Sequence, residues 1–140
     1  MQKIAFKKLH PEAKIPFRAH ASDAGLDLTT VESFALQPGE GHLFKTGLAL
    51  ALDTGYVGLI WDRSSMGKRG IKTLGGVVDA GYRGEIGVVL WNLSSQVQEI
   101  KAGERVAQLL IQSVATPEVF ETQQLDETAR GAGGFGSSGK

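Results

Sequence analysis

Gly75-Gly76-Val77-Val78-Asp79-Ala80-Gly81-Tyr82-Arg83-Gly84-Glu85-Ile86-Gly87 is the stretch around which the chain is organised. Two β-branched residues lead into a turn at Asp79-Ala80-Gly81-Tyr82, and Ile86-Gly87-Val88-Val89-Leu90-Trp91 leads out, so the spacing predicts a β-hairpin. Gly76 and Gly87 fall inside the arms, where glycine weakens a strand unless something must come close to the backbone. A flat ligand between such arms is readable by bare peptide N–H and C=O groups. Asp79 stands at the mouth, with a carboxylate able to act as base or ligand. An ordinary hairpin with a turn aspartate fits the same residues.

Outward from this stretch, glycines punctuate short apolar segments along the whole chain, the rhythm of an all-β sandwich or barrel. Residues 4–9 read as a first strand, residues 15–24 as irregular, and Gly25-Leu26-Asp27-Leu28 as the entry to a short strand. Pro38-Gly39 is a turn. Leu48, Leu50 and Leu52 alternate as a half-buried strand should, and Asp53-Thr54-Gly55 is a hairpin-like break before a strand at 56–61. Residues 86–91 are apolar on both faces, which predicts shelter from water on both and burial against another subunit. Residues 105–114 fit a helix (Val106, Leu109, Leu110, Val114) or a strand (Ala107, Leu109, Ile111), and the β-rich context selects the strand.

At 140 residues the chain is expected to form one domain with a proper core. Lys+Arg and Asp+Glu both total 15, and this balance argues against a general nucleic-acid or membrane-surface binder. Any anion must therefore be gripped locally. The absence of cysteine excludes disulfides, thiolate chemistry and cysteine-based zinc sites, and His10, His20 and His42 lack metal-ligand spacing. No apolar run approaches the ~20 residues of a membrane span, and no signal-peptide apolar region opens the chain, so a cytoplasmic protein is expected. Asn92-Leu93-Ser94 fits the glycosylation pattern by chance.

Arg63-Ser64-Ser65-Met66-Gly67-Lys68-Arg69-Gly70 reads as a short helix with a serine N-cap, basic residues in the last turn and Gly70 closing it in the left-handed conformation. Its start, behind Arg63, is a phosphate-sized anion site. The tail from Arg130 to Lys140 is glycine-rich, and a linker or disordered end fits that composition. Within it Arg130 can fork onto phosphate oxygens, and Phe135 is an apolar ring with no core sequence around it. Gly134-x-x-x-x-Gly139-Lys140 is no P-loop, because neither the preceding strand nor the following Ser/Thr and helix is present.

Five pieces now stand in order: residues 24–28, Arg63-Ser64-Ser65, residues 76–87, Gly103-Glu104-Arg105-Val106-Ala107-Gln108, and residues 130–139. Together they closely resemble the five motifs of the trimeric dUTPases, the dUTP diphosphatases. The resemblance implies an all-β, jelly-roll-like distorted barrel with one short helix, assembled as a homotrimer. Residues 1–129 would form the barrel and 130–140 an arm closing over a neighbouring active site. The activity implied is hydrolysis of dUTP to dUMP and pyrophosphate, which keeps uracil out of DNA and supplies dUMP for thymidylate synthesis. Each site would draw its first, second and fourth motifs from one subunit, the third from another and the fifth from the remaining one.

Residue by residue, the resemblance implies that the arms at Gly76, Val77, Val78, Ile86 and Gly87 bind uracil, with Tyr82 against the deoxyribose. Asp79 would be the general base for the attacking water. Arg63, Ser64, Ser65 and Gln108 would hold phosphates. Arg130 would reach the γ-phosphate, Phe135 would stack over uracil, and Gly136 and Ser137 would also bind the substrate. Mg²⁺ would accompany the triphosphate, with Asp27 touching it through water, as suits an ion slow to dehydrate. For Asp27 and Gln108 a structural role competes: a turn carboxylate, or an amide satisfying a strand edge.

Some positions depart from the family pattern. Leu26 stands where an aromatic is frequent, Asp62 where proline often precedes Arg-Ser-Ser, Thr73 where an Asn often contacts the base, and Ser138 where threonine is usual. Thr73 is therefore assigned no contact. A dCTP deaminase of the same fold is the second enzymatic reading, disfavoured by the complete tail and by Tyr82. A non-catalytic nucleotide-binding trimer is the third.

Overall fold

A computed structural model describes residues 4–133. In chain order they form β1 (Ala5–Lys8), β2 (Leu26–Thr29), β3 (Phe34–Leu36), β4 (Gly41–Lys45), β5 (Leu48–Ala51), β6 (Tyr56–Trp61), α1 (Ser64–Lys68), β7 (Ile71–Leu74), β8 (Val77–Asp79), β9 (Gly87–Asn92), β10 (Gln98–Ile100) and β11 (Arg105–Ser113). The pairings are antiparallel and build a four-stranded sheet β2-β11-β6-β8, a three-stranded sheet β4-β9-β7, and the ribbons β1-β5 and β3-β10. Almost every neighbour in these sheets is distant in sequence, and the strands wrap into a jelly-roll-like distorted barrel. Residues 105–113 are a strand, as the context predicts.

The core is filled by inward residues of nearly every strand, among them Leu28, Leu36, Phe44, Leu48, Leu90, Ile100, Val106 and Leu109, all at or near complete burial. Burying each such side chain is worth about 1.5–3 kcal/mol, so this shared interior is what holds short strands together. β5 departs from the half-buried expectation: Ala49 is buried as well as Leu48 and Leu50. One edge of β5 pairs with β1, and on Leu48 the carbonyl accepts from the Ile86 N–H at 2.7 Å, so the strand is held by main-chain bonds as well as by burial of both faces. Asn92 is fully buried. Its amide donates to the Leu36 and Gln96 carbonyls while its Oδ1 accepts from the Ser94 N–H and hydroxyl, which makes it a structural pin that no glycan reaches.

The predicted hairpin is not one. β8 pairs with β6 and β9 pairs with β4 and β7, so the two arms belong to different sheets. The chain passes from β7 of the three-stranded sheet to β8 of the four-stranded one through Gly75 and Gly76, with φ of 72° and 105°, conformations that side chains disfavour, and returns to β9 through residues 80–86. A Cβ on Gly76 would meet the Ile60 carbonyl oxygen at 2.8 Å, and one on Gly87 would meet Leu43 Cδ1 at 2.6 Å. Gly76 is therefore required by the neighbouring strand β6 and by its own φ, a constraint its placement in sequence did not separate from a ligand's approach, whereas at Gly87 the exposed end of Leu43 can move aside. The break at Asp53-Thr54-Gly55 likewise turns the chain without making a hairpin, since β5 and β6 do not pair.

Within the chain β9 is sheltered on one face only. Val88, Leu90 and Asn92 point into the core, while Val89 and Trp91 lie on an outer face with Leu43 and Leu74, and Leu43 is 56% exposed. Regular structure ends at Ser113. Residues 114–133 carry no helix or strand, and 114–132 are exposed, including Val119, Leu125 and Phe120, the last at 79%.

Candidate active site

Two cavities collect the sequence-predicted residues, and they share no lining residue. The first, about 410 Å³, is walled by Gly25, Asp27, Arg63, Ser64, Ser65, Arg105 and Gln108, with Ala19 and Asp23 at its border. β2 and β11 are adjacent strands with Asp27 opposite Gln108, which sets carboxylate and amide side by side. Asp27 Oδ1 accepts from Arg63 Nε and its Oδ2 from Arg105 Nη1, both at 2.8 Å. Partly exposed pairs of this kind contribute only ~0–1 kcal/mol each, so their value lies in aiming two guanidinium groups into one cavity. Arg63 Nη1 also donates to Ser65 Oγ at 3.3 Å and to the Arg105 carbonyl at 3.2 Å. Gln108 Nε2 donates to the Asp62 carbonyl at 2.8 Å, which gives it the structural role that competed in sequence while leaving it on the cavity wall.

The helix differs from expectation. Its N-cap is Arg63, without a side-chain capping bond, and Ser64 and Ser65 lie inside the first turn. The serine hydroxyls are thus not spent on the helix's own N–H groups and stay on the cavity side. A helix of five residues has little macrodipole, so positive charge for an anion comes from Arg63 and Arg105. Gly70 closes the helix in the left-handed region, as predicted.

The second cavity, about 190 Å³, lies in the gap between β8 and β9 and is lined by Ile60, Gly76, Val77, Val78, Asp79, Tyr82, Glu85, Ile86 and Gly87. β8 is an edge strand, so peptide groups on its outer side have no strand to pair with. β7 covers β9 only from Val89 onward, so Gly87 and Val88 likewise lack a strand on that side. The gap is therefore bordered by unpaired main chain from two sheets. The Ile86 peptide does not contribute, because its N–H is held by the Leu48 carbonyl and its C=O by the Thr46 hydroxyl. Tyr82 is fixed by its hydroxyl, which donates to the Glu85 carbonyl at 2.9 Å. Asp79 is exposed at the rim, and among the described residues its carboxylate makes no hydrogen bond.

Arg130 lies on the exposed arm, where its Nε donates to the Gly133 carbonyl at 2.9 Å, and it lines neither cavity. Phe135, Gly136 and Ser137 lie outside the described residues. Among the described residues no cluster of three or more metal-ligating side chains is present. Asp27 offers one carboxylate with both oxygens already engaged by guanidinium groups. It fits a magnesium ion held mainly by phosphates and met through water, and does not fit an ion caged by protein.

Sequence reasoning missed Arg105 and Asp62. Arg105 was visible in the fourth quoted piece, but its aim depends on a β-bulge between Arg105 and Ala107 that no residue type announces. Asp62 was noted only as a departure. Its Oδ1 accepts from the Thr73 N–H at 2.6 Å and hydroxyl at 2.7 Å, and its Oδ2 pairs with Lys72. Burial works to raise its pKa, but the bonds from Lys72 and Thr73 and the lysine charge outweigh it and hold the carboxyl below its ordinary value. A depressed carboxyl pKa contributes stability that is present above the unfolded value of about 3.9 and is lost as pH falls through the folded value. Asp62→Asn is accordingly expected to unfold more easily than the parent at pH 7, with the difference shrinking below pH ~4. Denaturant titrations at a series of pH values check this, and a difference that grows in acid would contradict it.

A family model described as dUTPase matches residues 11–139. The deoxyuridine 5'-triphosphate nucleotidohydrolase of Nocardia farcinica is 50% identical over 140 residues, covering 97% of this chain and 85% of the relative. That of Wolinella succinogenes is 50% identical over 141 residues, covering 99% and 95%. Among solved structures, the dUTPase of Staphylococcus bacteriophage 80alpha with dUpNHpp superimposes with a TM-score of 0.90 at 30% identity, covering both chains fully. A dUTPase from phage phi11 of S. aureus, described with a structural Mg(II) ion, gives 0.81 at 27% identity over 88% of this chain and 98% of that one.

Proposed function

This chain belongs to the dUTPase family, and from that premise we propose how it converts dUTP to dUMP and pyrophosphate. The observation that carries the reading is the gap between β8 and β9, edged by unpaired main chain and carrying Asp79 at its rim. Uracil lies in that gap and is read by peptide groups of the Gly76–Val78 and Gly87 arms. A cytosine there would leave buried polar groups unpaired, and such sites discriminate by roughly 10⁴–10⁵-fold. The methyl of thymine meets the close main chain and is refused sterically, at ~1–3 kcal/mol. Tyr82, pinned by Glu85, occupies the space a 2′-hydroxyl needs. Asp79 orients a water toward the α-phosphorus and takes its proton as the P–O bond to the pyrophosphate leaving group breaks.

The triphosphate lies in the arginine-lined cavity, where Arg63, Ser64, Ser65 and Gln108 donate to it, joined by Arg105. Asp27 would meet a magnesium ion bound with the nucleotide through water, and the ion would supply neutralisation of phosphate charge. The two cavities share no lining residue, and a complete site would join the first cavity of one copy to the second of another. The homotrimer implied by the family supplies this. The outer face of Leu43, Leu74, Val89 and Trp91 is suited to a neighbouring copy, as is the apolar Val119, Phe120 and Leu125 set on the arm. Residues 130–140 then close over a neighbour's site, with Arg130, Gly136 and Ser137 toward phosphates and Phe135 over the base.

Pyrophosphate release measured side by side tests the substrate. dUTP is expected to exceed dCTP by on the order of 10⁴ in kcat/KM, with dTTP and UTP also poor. Comparable release from dCTP would overturn the base-reading account, and ammonia release from dCTP would favour a deaminase.

A further inference from the structure

We propose that Asp62 is a positioning residue for the phosphate-binding Arg63–Ser65 run, acting through its tie to Thr73. The inference rests on the phosphate role just given to that run. What needs explaining is how Arg63, Ser64 and Ser65 are held, since α1 is one short turn with no side-chain cap at its start. Arg63 is fixed at its far end by Asp27, but that bond does not fix the main chain that carries it. The main chain is fixed one residue earlier.

Asp62 follows the end of β6 directly and reaches out of its own sheet. Its Oδ1 takes the Thr73 N–H and hydroxyl, its Oδ2 takes Lys72, and its own carbonyl takes the amide of Gln108 from β11. β6 and β11 belong to the four-stranded sheet, whereas Lys72 and Thr73 belong to β7 of the three-stranded sheet. One residue therefore clamps the two sheets together at the point where the chain enters the phosphate cavity. Thr73 is buried, and no buried side-chain polar atom among the described residues lacks a partner. Removing the carboxylate would strand a buried N–H and hydroxyl, so the tie is stiff. Asp62 lines neither cavity, so it acts on substrate only through what it holds. Positions 62 and 73 both depart from the family pattern, and here the two are bonded to each other.

The test compares Asp62→Ala, Asp62→Asn, Thr73→Val and Thr73→Ser in the full chain. The readouts are KM and kcat for dUTP, the inhibition constant of deoxyuridine (which has no phosphate to grip), and melting temperature. Asp62→Ala is expected to raise KM for dUTP about tenfold, the scale of losing charge-assisted hydrogen bonds, with kcat and the deoxyuridine constant within roughly twofold. Thr73→Val moves KM the same way by less. Asp62→Asn, which keeps the Oδ1 acceptor, and Thr73→Ser, which keeps the hydroxyl, recover most of the affinity. If Asp62→Ala does not fold, Thr73→Val against Thr73→Ser decides alone. KM unchanged in the folded variants, or a deoxyuridine constant that rises in step with KM, overturns the proposal, the second by showing general damage. Lack of turnover of dUTP by the parent would instead overturn the functional reading and this inference with it.

Discussion

Asp79→Asn is expected to bind a dUTP analogue about as well as the parent and to lose turnover by at least ~10², the scale of a positioned general base. Asparagine keeps the shape and loses the proton acceptor. The fold should tolerate the change, because Asp79 is exposed at the end of β8 and its carboxylate bonds to none of the described residues. Single-turnover measurement with saturating dUTP separates the chemical step from binding. If pyrophosphate appears at the parental rate, Asp79 is not the base, and the carboxylate at the rim serves only to fill a turn.

Ending the chain at Ala129 is expected to leave assembly and melting temperature unchanged while lowering kcat/KM by roughly 10² or more. Among the described residues no hydrophobic side chain beyond Ile111 packs against the core cluster, so the barrel is expected to keep its core without residues 130–140. The activity loss follows from Arg130, since an arginine supplied in trans to a phosphate chain can be worth 10³–10⁵ in rate, and from closure that excludes water. Sedimentation and an activity assay on the same preparation give both halves. Parental activity in the truncated protein would reduce the arm to an appendage, and a loss of assembly would mean that it holds the oligomer together.

What could be read in the sequence was local chemistry, and what could not was pairing. The all-β character, the strand at 105–113, the Pro38-Gly39 turn and the left-handed Gly70 follow from residue type and spacing. Val77-Val78 and Gly87–Trp91 looked like partners because they are adjacent and separated by a turn. Their true partners lie from 15 (Leu74 and Val89) to 50 (Gly41 and Trp91) residues away, and alternation within a strand carries no mark of which edge it will meet. The same limit hid Asp62, whose meaning depends on Thr73 arriving from another sheet. Arg63, Ser64, Ser65, Gln108 and Asp27 were gathered into one cavity as their motifs implied, while the expected serine cap failed because Arg63 took that place, and the Ser65 hydroxyl accepts from the Arg63 side chain instead of a helix N–H.

The crossing at Gly75-Gly76 has a bearing on how this protein can change over time. A pocket defined by side chains is re-keyed by single substitutions, one residue at a time. A seam left where a strand changes sheets presents the same pattern of amide and carbonyl groups whatever side chains hang beside it. Drift at Val77 or Val78 leaves that pattern in place, so on the proposed reading a base preference would follow the course of the main chain and change when that course moves.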